Sequence, residues 1–329
     1  MKMRVGGAGS VVAIAAVLAA LLVVTGCVEL ERAEAGGDRE TPQSAVDPTA
    51  VRGGPAEGEA TSTRPDEEGS ITIRGVGSFR FDSRRVETVR EDIFRNGHFS
   101  VFDILVHLDR TGSIDLSYSF DENMNTHVIR SIDGEGPWWY RIYYEGGWPE
   151  DNNFRMDHYP YKDRAFVTLF QPKPERLSEI HEVFREETAR AARTGATGAD
   201  DQAEVVVPRI TIRSWGDVVT FEDVPVQAHD LRSDALQPGT VTAMDVILSL
   251  GDRGELTYDI IWMERIGFAE VQNYFVERIN KDARMGRCGF VYEAGPEDYR
   301  GFRGNHIHLP SDMRVIYAPE YVEFFWICV

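Results

Sequence analysis

Val101, Ile104, Leu105 and Leu108 recur at i, i+3, i+4 and i+7, the spacing that turns one helix face toward a core. The spacing returns in Ala243, Val246, Ile247 and Leu250. Each run opens on a Ser/Thr-x-x-Asp signature, Ser100 with Asp103 and Thr242 with Asp245, which predicts a capped helix start. Gly112 and Gly254 follow as C-terminal breaks. The period then switches to two. Ile114, Leu116, Tyr118 and Phe120 alternate with polar residues, as do Leu256, Tyr258 and Ile260, and each set predicts a half-buried strand.

Other stretches repeat in the same order. Ile71-Thr72-Ile73-Arg74 reappears as Ile210-Thr211-Ile212-Arg213, and residues 127–132 reappear as 274–279. Residues 138–144 align with 286–292, and His158-Tyr159-Pro160 aligns with His308-Leu309-Pro310. Both series end in a strongly apolar strand, at 165–170 and 321–329. The chain therefore reads as two tandem domains, residues 70–172 and 207–329. Residues 173–206 join them as a short helix, with Leu177, Ile180 and Phe184 on one stripe, followed by a Gly/Ala/Thr linker. A capped helix and several strands per copy predict an α+β fold with the helix packed on a mixed sheet.

Length and composition agree with two cores: 329 residues, 42% of them hydrophobic and 11% aromatic. Residues 28–69 are different, because they hold no aromatic residue and are dominated by Glu, Ala, Gly, Thr and Pro. Such a stretch cannot offset ordering entropy by burial, so it reads as a disordered stalk. Before it, Lys2 and Arg4 precede an apolar run at 11–24, too short for the roughly 20 residues of a membrane span but suited to a signal peptide. The run ends in Val24-Thr25-Gly26-Cys27, which resembles the bacterial lipobox. The resemblance implies a signal peptide at 1–26, acylation of Cys27, and a flexible lipidated stalk at 27–69. It implies a bacterial cell-envelope protein, extracytoplasmic and held to the membrane by its N-terminal lipid. Val28 is not the aspartate associated with inner-membrane retention, which favours the outer membrane where a cell has two.

Charge narrows the partners. With 54 Asp+Glu against 35 Lys+Arg the net charge is −19, and nucleic acid is excluded as a partner because that affinity rests on Lys and Arg neutralising phosphates. No nucleophile elbow, P-loop, dinucleotide fingerprint, His-Glu-x-x-His or Cys-x-x-Cys occurs, so a non-enzymatic role is expected. On a strand, Trp138, Tyr140, Ile142 and Tyr144 point one way and suit a core. Trp139, Arg141 and Tyr143 point the other way and are the candidate ligand-binding residues, two rings able to stack on a planar or sugar ligand beside a cation. The alignment puts Arg287, Gly289 and Val291 on that face of the second copy, without rings.

Three further patterns carry less chemistry. His306-x-His308 would set two imidazoles on one strand face, a weak metal candidate with no third ligand in view. Asp121, Asn123 and Asn125 mimic the start of a calcium loop but have Thr126 and Ile132 where Gly and Glu are required, so they read as a polar connecting loop. Cys288 and Cys328 are either a disulfide, as an oxidising compartment allows, or two buried thiols.

The Ser-Val-Phe-Asp-Ile-Leu helix start at 100–105, Ile132-Asp133-Gly134, Gly136-Pro137-Trp138-Trp139-Tyr140, Tyr144-Glu145-Gly146 and the closing strand together resemble the DUF4430 family, a transcobalamin C-terminal-like domain of β-grasp type. The resemblance covers residues 70–172 well and the second copy more weakly. It implies two tandem β-grasp-like domains and makes cobalamin a possible ligand by resemblance only; no other cofactor is expected. The function this suggests is binding of a small ligand, a corrinoid or a carbohydrate, through the aromatic face of the first copy. The alternative is a structural or protein-interaction module of an envelope complex.

Overall fold

In the first half, β1 (Glu68–Ile73) and β2 (Gly77–Asp82) form a hairpin ahead of helix α1 (Val101–Arg110). Then come β3 (Leu116–Asp121), β4 (Thr126–Ile132), β5 (Trp139–Tyr144), β6 (Glu150–Asp151) and β7 (Ala165–Phe170). Helix α2 (Pro174–Thr194) leads to β8 (Glu204–Arg213), β9 (Val218–Gln227) and helix α3 (Ala243–Asp252). The second half ends with β10 (Tyr258–Ile266), β11 (Ala269–Ile279), β12 (Asp282–Ala283), β13 (Cys288–Gly295) and β14 (Tyr321–Cys328). This computed structural model describes residues 68–144, 150–151, 154–194, 204–266, 269–297, 309–316 and 318–328. The signal peptide, Cys27, the stalk to residue 67, the linker at 195–203, Glu145, Gly146, His306 and His308 lie outside the described residues.

The fold is a mixed α+β arrangement of several sheets and three helices. One sheet has the order β2-β1-β7-β5-β6 and another β13-β14-β8-β9, while β3-β4 and β10-β11-β12 form separate small sheets. In each large sheet the first and last strands of the half run parallel side by side. Ile71 pairs with Val167, and Ile210 pairs with Val322. The first strand also pairs with its hairpin mate, and the last with β5 or β13, all antiparallel. Read as β2-β1-β7-β5 and β9-β8-β14-β13, the two halves share one strand order.

The helices form where the spacing predicts. Ser100 and Asp103 make a reciprocal capping box, with Ser100 N–H donating to Asp103 Oδ2 at 2.6 Å. Thr242 N–H does the same to Asp245 Oδ2 at 2.6 Å. The other carboxylate oxygen of each aspartate accepts a backbone N–H from the segment before the helix, Val89 at 2.7 Å and His229 at 2.9 Å. Gly112 and Gly254 have φ of +72° and +71°, the left-handed geometry that ends a helix without a Cβ clash. Val101, Phe102, Ile104, Leu105 and Leu108 are buried in one core with Ile71, Ile73, Tyr140, Ile142, Val167 and Leu169. The transfer of those five helix side chains from water is worth on the order of 10 kcal/mol before entropy is counted.

Three expectations change. The strands after each helix do not all join the main sheet, because β3-β4 and β10-β11 close on themselves as hairpins. The joining helix is long: α2 runs 21 residues, and Ile180 and Phe184 are buried in the first core. The two halves also align differently toward their ends. Ile142 pairs with Val167 and Ala294 with Val322, so Tyr140 corresponds to Tyr292 and Trp138 to Phe290, a slip of four residues from the sequence alignment. Both tyrosine hydroxyls donate to a backbone carbonyl, Tyr140 to Phe154 at 2.9 Å and Tyr292 to Leu309. The face of Trp139, Arg141 and Tyr143 is therefore matched by Val291, Glu293 and Gly295, not by Arg287, Gly289 and Val291. Likewise Val101 N–H bonds to Tyr159 O, while Ala243 N–H bonds to Arg314 O, which makes Met313 rather than His308 the counterpart of His158.

The halves belong to one compact unit and meet through equivalent segments. Phe94 and Leu236 form an antiparallel bridge, with Arg95 N–H donating to Ala235 O and Gln237 N–H to Ile93 O, both within 2.9 Å. Ala235, Leu236, Leu309, Met313 and Val315 of the second half complete the core of the first.

Candidate functional site

Alternation on β5 sends Tyr140 and Ile142 into the core and Arg141 and Tyr143 to the opposite side of the sheet. There β7 adds Phe166 and Phe170. Tyr143 and Phe166 are 37% and 50% exposed, and their rings lie 5.6 Å apart at 40°. The guanidinium groups of Arg141 and Arg74 sit 5.7 Å and 5.9 Å from the centre of the Phe170 ring. The outer face of the five-stranded sheet thus carries an exposed ring pair beside two cations, in a chain whose net charge is −19. Such a face can stack on a flat or sugar-like surface and attract an anionic substituent.

Trp139 departs from this face. It shares the parity of Arg141 and Tyr143 but is 8% exposed, because α2 lies over it. Its ring centre is 6.4 Å from that of His181 and 6.3 Å from that of Phe184. The expectation that Trp139 faces water is therefore corrected: the strand pattern gives the right side of the sheet, and the joining helix covers that end of it. Between α2, β4 and the start of β5 remains a cleft with about 370 Å³ of empty space, part of it open to solvent, walled by His127, Ile129, Trp138, Trp139, His181 and Phe184. Burial lowers the basicity of His181, so this imidazole stays neutral to lower pH than a solvated one.

Behind the cleft lies a buried polar network that pattern reading missed. Arg90 makes a forked pair with Asp92 at 2.8 and 2.7 Å and reaches Asp157 Oδ2 at 3.2 Å. Asp157 also accepts from His127 N–H at 2.9 Å, contacts His127 Nδ1 at 2.8 Å, and accepts from Thr126 Oγ1 at 2.5 Å. Burial alone would raise the Asp157 carboxyl, but His158, His127, Arg90 and Thr126 together hold it well below the usual carboxylate range. The second half repeats the design. Arg232 forks onto Asp234 at 2.9 Å twice and reaches Asp312 Oδ2 at 3.2 Å, and Asp312 accepts from Tyr274 N–H. A signal was present in the chain: Arg90-Glu91-Asp92-Ile93-Phe94 and Arg232-Ser233-Asp234-Ala235-Leu236 share an Arg-x-Asp followed by two apolar residues, each with a Gly three further on. Because both halves have it, the network reads as architecture; the imidazoles of His127 and His158 are the additions peculiar to the first.

A second charged group joins the halves to α2. Arg155 Nη1 donates to Glu187 at 2.8 Å, and Arg314 forks onto Glu320 at 2.6 and 3.0 Å, all four side chains almost fully buried. Burial and the nearby Glu320 charge outweigh Arg155 and push Glu187 up to about 7. Arg314 also lies over the Phe154 ring, 3.6 Å from its centre.

Cys288 and Cys328 face each other across β13 and β14 and are joined by a disulfide. Asp121, Asn123 and Asn125 lie at the turn between β3 and β4, where Asp121 Oδ1 accepts the Asn123 N–H at 3.0 Å. Among the described residues no group of three or more His, Cys, Asp or Glu side chains is arranged to hold a metal ion, and no helix is long and apolar enough to cross a membrane. No protein-family model, curated protein or solved structure matches this chain.

Proposed function

We propose that this chain is a non-enzymatic, lipid-anchored binding protein of the bacterial cell envelope, and that its ligand docks on the outer face of the first large sheet. The observation that carries the reading is the exposed Tyr143–Phe166 ring pair beside Arg141, Arg74 and Phe170. Rings and cations in that arrangement suit a carbohydrate or other flat ligand bearing a carboxylate, with sugar C–H or π faces on the rings and the anion on the guanidinium groups. An open sheet face suits a glycan better than a corrinoid, which is favoured by an enclosed apolar pocket. Each half is read as a β-grasp-like domain related to the DUF4430 and transcobalamin C-terminal-like group. The support is the shared strand order, the parallel pairing of first and last strands and the capped helix before the hairpin. The anchor is read from the lipobox-like ending at Cys27.

The test is native mass spectrometry of the full chain purified from envelope membranes in mild detergent, beside a Tyr143→Ala/Phe166→Ala variant. A co-purifying glycan mass lost in the variant, with an unchanged melting temperature, supports the reading. A co-purifying protein lost in the same variant would instead assign the face to an envelope-complex interface. Acid-stable acyl mass on Cys27, absent in Cys27→Ser, tests the anchor separately.

A further inference from the structure

The four large apolar residues that the second half exposes among its described residues gather at one end of it. Trp215 is 71% exposed, Met285 66%, Val218 55% and Val219 42%. Trp215 and Gly216 form the tip of the β8–β9 hairpin, closed by Ser214 N–H donating to Asp217 O at 2.9 Å. Lys281 reaches from the turn before β12 to Asp217 at 2.6 Å, which brings that turn to the hairpin tip, and Met285 bridges to Cys288 just beyond it. The strand beneath the tip is tied to its neighbour by the disulfide. Phe325 pairs with Arg213, and three residues on, Cys328 is bonded to Cys288.

This end carries paired charges. Three of its carboxylates are each ion-paired, Asp217 with Lys281, Glu277 with Arg284 and Glu323 with Arg213, at 2.6, 2.8 and 2.9 Å. A tip with a large amphipathic ring, two valines and neutralised acids has the chemistry of a bilayer interface, where Trp is favoured. The equivalent hairpin of the first half carries Gly75 and Val76 instead.

We infer that the Trp215 hairpin tip seats in the headgroup region of the membrane that carries the lipid anchor. This rests on the reading of Cys27 as acylated. Forty residues separate Cys27 from Glu68, the first residue of β1, which is chain enough for the anchor to leave a bilayer within reach of the folded part. The anchor and the tip then make two attachments, and the second orients the sheets relative to the membrane plane.

The test uses the full lipidated chain in phosphatidylcholine vesicles whose acyl chains are dibrominated, compared with Trp215→Phe. Tryptophan quenching in the native chain that falls by more than half in Trp215→Phe supports the inference; equal quenching in both overturns it. In parallel, the unlipidated mature chain, residues 27–329 with Cys27→Ser, should partition onto plain phosphatidylcholine vesicles about tenfold better than the same chain with Trp215→Lys. Equal partitioning overturns the inference, as does a dimer in solution that Trp215→Lys disperses, since the tip would then be covered by a second copy. The mass on Cys27 keeps the readings apart: an unacylated Cys27 sinks the anchor, whereas an acylated chain without Trp215 quenching sinks the tip alone.

Discussion

Phe94 bridges to Leu236, and each residue is the other's counterpart in the two halves. Flanking hydrogen bonds from Arg95 and Gln237 are counterparts in the same way. Both side chains are buried, at 1% and 3% exposure, in a core that draws on both halves. Leu236→Ala should therefore lower stability by about 2–4 kcal/mol and leave a single cooperative transition. Urea unfolding followed by circular dichroism checks this, and two separate transitions in the native chain would sink the shared-core account.

Trp139 and Phe166 should respond in opposite ways. Truncating Trp139 to Ala opens a void beneath α2 and should cost about 3–5 kcal/mol, whereas Phe166→Ala on the open face should stay within about 0.5 kcal/mol. Melting temperatures of the two variants decide it.

Asp157 carries an acid-side prediction. Its carboxyl is held below its ordinary value in the fold, so its stabilisation is complete above that value and is lost as pH falls toward the folded one. Asp157→Asn leaves Arg90 partly unpaired in the interior and should cost about 3–5 kcal/mol at neutral pH. The variant should also lose less stability than the native chain on acidification below pH 4, as measured by urea midpoints across pH.

Glu187 works with the opposite sign. Its pKa rises from 4.5 to about 7 on folding, so the native state holds a proton that the unfolded chain releases. Stability should fall as pH climbs through that window, by up to about 3 kcal/mol, and Glu187→Gln should flatten the slope. Equal slopes in the two chains would show that Arg155 keeps Glu187 ionised throughout.

The disulfide between Cys288 and Cys328 closes a loop of sequence separation 40. Reduction, or Cys288→Ser with Cys328→Ser, should cost about 2–4 kcal/mol through the freed unfolded chain. Denaturant midpoints with and without reductant measure it.

The helix starts were legible because a capping box and an i, i+3, i+4, i+7 stripe are local, and local geometry alone satisfies them. The parallel pairing of the first and last strands was not, since nothing in either strand names its neighbour. Leu177, Ile180 and Phe184 announced an apolar stripe on α2 but could not say that Trp139 lay beneath it. The four-residue slip near β13 arose because the turns before β5 and β13 differ in length, and aromatic spacing alone cannot fix register across such a gap. Its even size kept inward and outward positions correct. Arg90-x-Asp92 and Arg232-x-Asp234 were visible as letters, but their meaning needed Asp157 and Asp312, which are distant in sequence.

A surface that meets its own counterpart is the geometry of a twofold dimer, here written into one polypeptide. A dimer of identical chains must accept every mutation twice, once on each side of its axis. Joined on one chain, the two sides are released from that constraint. One can keep an aromatic outer face while the other takes a disulfide and a tryptophan-tipped hairpin, and neither change is imposed on its mate.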